Sequence, residues 1–242
     1  MPRAALFDVD GTLVDSTYLH VTAWWEALRQ SGHDVPTAVI HHAIGLGSTD
    51  LLDHLLGEHR DRDQDDTISK AHKTLYATHY ETLTPLPGAG DLLRALDARG
   101  WRIGLVTSAD DRQLTAMREA IGADDVIRDT ASSTDVTHGK PAPDPLRHAM
   151  ELVGSDTNGT VFVGDSVWDM QAASRAGITA VALLSGGIPR AHLEHAGAHE
   201  TYEDPSDLLA HLDDSAFGTC FMAGPASSPV DWPAGPGAGD PS

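Results

Sequence analysis

Short apolar runs that break off into polar residues constrain this chain more than any other feature. Ala4-Ala5-Leu6-Phe7 ends in Asp8-Val9-Asp10-Gly11, Arg102-Ile103-Gly104-Leu105-Val106 in Thr107-Ser108, and Thr160-Val161-Phe162-Val163 in Gly164-Asp165. Such runs read as buried parallel strands, whose ligands gather at the carboxyl edge of the sheet. Helical periodicity separates them, over Ala89–Arg99, Asp110–Ile121 and Val167–Ala176, and Ile178–Ala182 adds a further strand. The alternation predicts an α/β fold, a doubly wound parallel sheet with helices on both faces.

Between Asp15 and about Leu83 the strand pattern stops. Leu19, Ala23, Trp24, Ala27 and Leu28 form an apolar helical face ending near Gly32. Shorter helices are expected over Val39–Ile44 and Asp50–Leu56, the latter capped by Ser48 or Thr49, and a longer one over Thr67–Tyr80. Pro85-Leu86-Pro87-Gly88 closes this insertion. The expected organisation is therefore a core from residues 1–14 and 85–212 and a helical cap from 15–84. The segment 213–242 reads as a disordered tail: Gly, Pro, Ala and Ser dominate Gly224–Ser242, where Trp232 is the one large apolar residue.

A bare Asp-x-Asp at a strand end is read equally well as a solvated cap or as a cation site. Two acids this close repel, and a hard cation relieves the cost. The net charge of −20, with no basic stripe, argues against nucleic acid and demands local positive charge wherever phosphate is handled. One cysteine, Cys220, excludes an intramolecular disulfide. No stretch has the length of a membrane span and no signal peptide is evident, so no membrane contact and a cytoplasmic location are expected.

Asp8-x-Asp10-Gly11-Thr12-Leu13-Val14-Asp15-Ser16 resembles the first motif of the haloacid dehalogenase-like phosphatases. The other motifs have counterparts in Thr107-Ser108, in Lys140-Pro141-Ala142-Pro143-Asp144 and in Gly164-Asp165-Ser166-Val167-Trp168-Asp169. The resemblance covers about residues 4–212 and is nearest the phosphoglycolate phosphatase and β-phosphoglucomutase branch. It implies a Rossmann-like core and Mg²⁺. It also implies Asp8 as nucleophile, Asp10 as general acid and base, and Lys140 against the phosphoryl group. Asp8, the Asp10 carbonyl, Asp165 and Asp169 would serve the metal, and Gly11, Thr107 and Ser108 the phosphate. His20 and Trp24 of the cap are candidates for substrate choice.

Bland readings stand beside several of these residues. Thr107 or Ser108 could cap the helix at Asp110, Asp165 and Asp169 could simply favour a helix N-terminus, and His20 and Trp24 could be packing. Asp61-x-Asp63-x-Asp65 has the beginning of a calcium-loop spacing, but Asp66 and His72 occupy positions that need Gly and Glu. The expected activity is hydrolysis of a small phosphorylated metabolite by a monomer or weak homodimer. Transfer of the mutase type is the alternative, weakened because Gly45–Thr49 lacks an arginine for a second phosphate. A silent phosphate-binding protein is a further alternative, opposed by the intact acids and lysine.

Overall fold

Six strands pair in parallel in the order β3-β2-β1-β4-β5-β6. They are β1 (Ala4–Phe7), β2 (Arg102–Val106), β3 (Ile127–Ala131), β4 (Thr160–Gly164), β5 (Thr179–Leu183) and β6 (Glu200–Tyr202). The computed structural model describes residues 2–57, 59–132 and 137–218. Strand order reverses at β1, which pairs with β2 on one side (Phe7 beside Leu105) and β4 on the other (Phe7 beside Val163). At such a switch point the loops of neighbouring strands diverge and leave a crevice.

Successive side chains of β1 serve opposite faces. Ala4 and Leu6 join a cluster with α7 (Asp144–Val153), α8 (Val167–Ala176) and α9 (Arg190–Ala196). Ala5 and Phe7 join another with α5 (Ala89–Ala98), α6 (Asp111–Ile121) and α10 (Pro205–Ala210). The doubly wound α/β expectation therefore holds. The sheet extends past it through β6, whose half-buried Glu200-Thr201-Tyr202 lacks an apolar run. β3 also runs on to Ala131 through Arg128-Asp129-Thr130, polar residues that give no strand signal of their own.

Between β1 and α5 lie α1 (Thr17–Gln30), α2 (Thr37–Ala43), α3 (Ser48–Leu56) and α4 (Asp65–Ala77). Trp24, Leu28, Ile40, Leu52 and Ile68 bury their side chains among them in a cluster that continues into the sheet's first face. The expected Ser48 or Thr49 cap is absent, because Gly47 occupies the cap position of α3 with no side-chain bond. The acidic run beside α4 is spent locally: Arg60 binds Asp65 and Asp53, and Asp61 accepts from the Asp63 amide.

The segment expected to be disordered from residue 213 instead packs as far as Gly218. Phe217 is buried with its ring edge-on to Trp101, centroids 5.0 Å apart. Ser215 Oγ donates to the Leu212 carbonyl at 2.8 Å, turning the chain back onto α5 and β2. Composition misses this because one aromatic supplies most of the burial. Cys220, Trp232 and the remainder of the segment lie outside the described residues. Phe217→Ala is expected to cost about 3–5 kcal/mol, or roughly 6–20 °C in Tm for a chain of this size. A calorimetric scan showing no change would mean the segment does not dock.

Candidate active site

Asp8 continues β1, its amide donating to the Val163 carbonyl of β4 at 2.9 Å. Asp165 follows β4, and Asp169 sits in the first turn of α8. Carboxylate oxygens of the three lie within 4.8 Å of one another, all buried. Lys140, 2 % exposed, is delivered by the loop between β3 and α7. Its Nζ donates to Asp8 Oδ1 at 2.5 Å and to Asp169 Oδ1 at 2.8 Å. Ser166 caps α8, and its hydroxyl and amide donate to Asp169 Oδ2 at 2.6 and 3.1 Å. Asp169 is thus held from both ends.

Two glycines make room for this arrangement. Gly11 has φ +75°, where a side chain is strained, and a Cβ there would overlap the Asp165 carboxylate and the Thr17 hydroxyl. A Cβ on Gly186, after β5, would also overlap Asp165. Ser185 Oγ donates to the Gly11 carbonyl at 2.7 Å and ties these two loops together. Thr12 Oγ1 donates to Asp165 Oδ1 at 3.1 Å.

The three acids face one ammonium. Burial pushes the Asp8 carboxyl up to about 8, with Asp169 and Asp10 adding to the rise and Lys140 opposing it. Burial likewise raises Asp165 well above the usual carboxylate range, helped by Asp8 and Asp169. An all-oxygen pocket with excess buried negative charge suits a hard divalent cation, so these residues fit a Mg²⁺ site.

A pH dependence follows. Asp8 titrates at 3.8 when unfolded and near 8 when folded, so between these values the folded chain keeps a proton the unfolded chain has lost. Stability therefore falls as pH rises through that interval. Burial holds His72 well below its usual 6.5, an effect that costs stability only below that pH. Between pH 6.5 and about 8, Tm in a chelating buffer should therefore decline, and Mg²⁺ should restore more at the upper end. A Tm that rises over this range contradicts the charge accounting.

Asp10 points elsewhere. Its Oδ1 accepts from Ser16 Oγ at 2.6 Å and lies 3.0 Å from His20 Nε2. Burial opposes its ionisation, but His20 and Ser16 outweigh burial and hold it below the usual carboxylate range. His20 Nδ1 meets His72 Nε2 at 3.1 Å, Gln113 meets His20 at 3.2 Å, and His72 stacks on Trp24 with centroids 4.0 Å apart. Residues of α1 and α4 thus meet the carboxyl edge of the sheet. They enclose a cavity of ≈ 70 Å³ lined by Asp8, Asp10, Lys140, His20 and Trp24. A larger one of ≈ 380 Å³ adjoins it, lined by Thr107, Ser108 and Lys140.

Residues 2–177 match the family model for haloacid dehalogenase-like hydrolases. The chain belongs to the haloacid dehalogenase-like hydrolases. It is 32 % identical over 218 residues to the phosphoglycolate phosphatase of Rhodospirillum rubrum, covering 86 % of this chain and 90 % of that one. It is 27 % identical over 218 residues to the N-acetylmuramic acid 6-phosphate phosphatase of Pseudomonas aeruginosa, covering 87 % and 95 %. The crystal structure of a hydrolase from Pseudomonas syringae superposes with a TM-score of 0.84 at 37 % identity, covering 88 % and 98 %. These relatives support a phosphatase.

In this hydrolase, the residues expected from the sequence fall into three groups. Asp8, Lys140, Asp165 and Asp169 converge directly, with Gly11 against Asp165. Asp10, His20 and Trp24 line the adjoining wall. Thr107 is buried at the end of β2, where its Oγ1 accepts from the Ala109 amide at 3.1 Å, and Ser108 is exposed. The helix cap there is Asp110, whose side chain accepts from the Gln113 amide at 3.1 Å. Sequence reasoning missed Ser16, His72, Lys73, Gln113 and the Ser185-Gly186 turn. Only packing of α4 against α1 and the sheet edge marks His72 among 14 histidines.

Proposed function

We propose that this protein is a Mg²⁺-dependent phosphatase that hydrolyses a small phosphorylated metabolite, of the phosphoglycolate or sugar-phosphate kind, through an aspartyl-phosphate. The observation that carries the reading is the buried triad of Asp8, Asp165 and Asp169 around a single ammonium. Asp8, Asp165, Asp169 and the Asp10 carbonyl would hold the ion. When bound, it would neutralise these acids and stabilise negative charge on the phosphoryl oxygens.

An Asp8 oxygen attacks phosphorus, the bond from phosphorus to the ester oxygen breaks, and Asp10, ionised in the free site and taking a proton from solvent as substrate binds, gives that oxygen its proton. Water then attacks phosphorus of the acyl phosphate, Asp10 takes its proton, and the bond to Asp8 breaks to release inorganic phosphate. His20 and Ser16 orient the Asp10 carboxyl for both transfers. Lys140 fixes Asp8 and offsets charge that develops on the phosphoryl group. Thr107 and Ser108 offer donors to the phosphoryl oxygens, whereas the Gly11 amide, expected from the sequence to join them, is committed to the Val14 carbonyl at 2.8 Å. The helical insert acts as a cap that excludes bulk water. Gly45, Leu46 and Ser48 reach the cavity without a guanidinium, which favours hydrolysis over mutase-type transfer.

Release of inorganic phosphate from an aryl phosphate tests this reading. Activity should vanish in EDTA, return with Mg²⁺ and fail to return with Ca²⁺, whose larger shell admits extra ligands and misplaces the nucleophile. Full turnover in excess chelator would contradict the metal assignment.

A further inference from the structure

We infer that Lys73, on the insert helix α4, is the receptor for a second anionic group of the substrate, so that the preferred substrates are phosphomonoesters that also carry a carboxylate. The inference rests on the phosphatase reading and deepens it. Among the described residues that line the cavity over Asp8, the lysines and arginines are Lys73 and Lys140. Lys140 is buried and committed to Asp8 and Asp169. A carboxylate entering the cavity of a chain with net charge −20 therefore has one permanent positive charge to meet.

Lys73 is poised for such an exchange. Its Nζ lies 3.1 Å from Asp110 Oδ2, a carboxylate on the sheet side of the same cavity, and both side chains are well exposed. Exposed ion pairs of this kind are weak, so a substrate carboxylate can replace Asp110 at little cost. Lys73 also borders the larger adjoining cavity with Ser108, so its ammonium sits where the two spaces meet. The named substrates of the R. rubrum and P. aeruginosa relatives, a phosphoglycolate and a phosphorylated muramic acid, are both acids as well as phosphomonoesters.

The test compares 2-phosphoglycolate with ethyl phosphate, which places a methyl group where the carboxylate stood. Lys73→Met should lower kcat/KM for 2-phosphoglycolate about 10–100-fold more than for ethyl phosphate, mainly through KM, as expected for loss of a charge-assisted hydrogen bond. Lys73→Arg should recover most of the difference. Asp110→Asn keeps the helix cap but removes the competing charge, so it should lower KM for 2-phosphoglycolate. Equal losses on both esters in Lys73→Met, or an Asp110→Asn variant that mimics Lys73→Met, would make the pair a structural strap and overturn the inference. A wild-type enzyme that prefers ethyl phosphate also overturns it while leaving the phosphatase reading intact. Failure of the wild type to release phosphate from any ester, an aryl phosphate included, overturns both.

Discussion

Replacing Lys140 with methionine is expected to lower Tm by roughly 6–20 °C near neutral pH and to abolish phosphate release. Lys140 is almost wholly buried and holds Asp8 and Asp169 at 2.5 and 2.8 Å. Methionine keeps the length of the stem and removes the charge, leaving Asp8, Asp165 and Asp169 in a low-dielectric pocket without a fixed cation. Breaking a buried ion pair from one side costs about 3–5 kcal/mol, because the remaining charge is uncompensated. Acid partly repairs the damage, since Asp8 and Asp165 are already pushed toward their neutral forms by burial. The variant should therefore recover some of its Tm near pH 5, and Mg²⁺ should recover some near pH 8. The protein carrying Lys140→Met should still bind the ion through its acids but lack the charge that faces the transferring phosphoryl group. A variant with wild-type Tm would mean that the Lys140 ammonium does not compensate buried negative charge in the native state.

How much of this was legible in the sequence depends on where each residue's signal lies. β1, β2 and β4 were plain because each apolar run stops at a polar residue, and those same residues, Asp8, Thr107 and Asp165, lie at or directly after the strand ends. Asp169 and Lys140 were legible because motif spacing carries them. β6 was not, since an edge strand needs backbone partners more than apolar side chains. Phe217 gave no periodicity at all, and its burial against Trp101 depends on a turn at Ser215. His72, Gln113 and Lys73 come from α4 and α6, whose approach to Asp10 is set by tertiary packing. Nothing in the sequence around Gly186 marks it, and only the position of the Asp165 carboxylate makes it a site residue.

The two carboxylates of the first motif should separate cleanly by role. In Asp8→Asn the amide is a poor nucleophile and a weaker metal ligand, so both phosphate release and any covalent phosphoenzyme should disappear. Asp10 sits in a different environment, its carboxyl turned toward Ser16 and His20 and outside the acid triad. Asp10→Asn should therefore still bind Mg²⁺, while losing the proton transfer that general acid–base catalysis contributes, about 10²–10⁴-fold. An aryl phosphate carries a good leaving group, so protonation matters less in the first step than in the second. Phosphoenzyme then forms but is hydrolysed slowly, because the attacking water has lost its base.

The measurement that bears most directly on Asp8 as nucleophile is the intact mass of both variants after brief exposure to an aryl phosphate and an acid quench. Asp10→Asn is expected to carry one phosphoryl adduct and Asp8→Asn none. An adduct on Asp8→Asn, or near-normal turnover by it, would contradict the account.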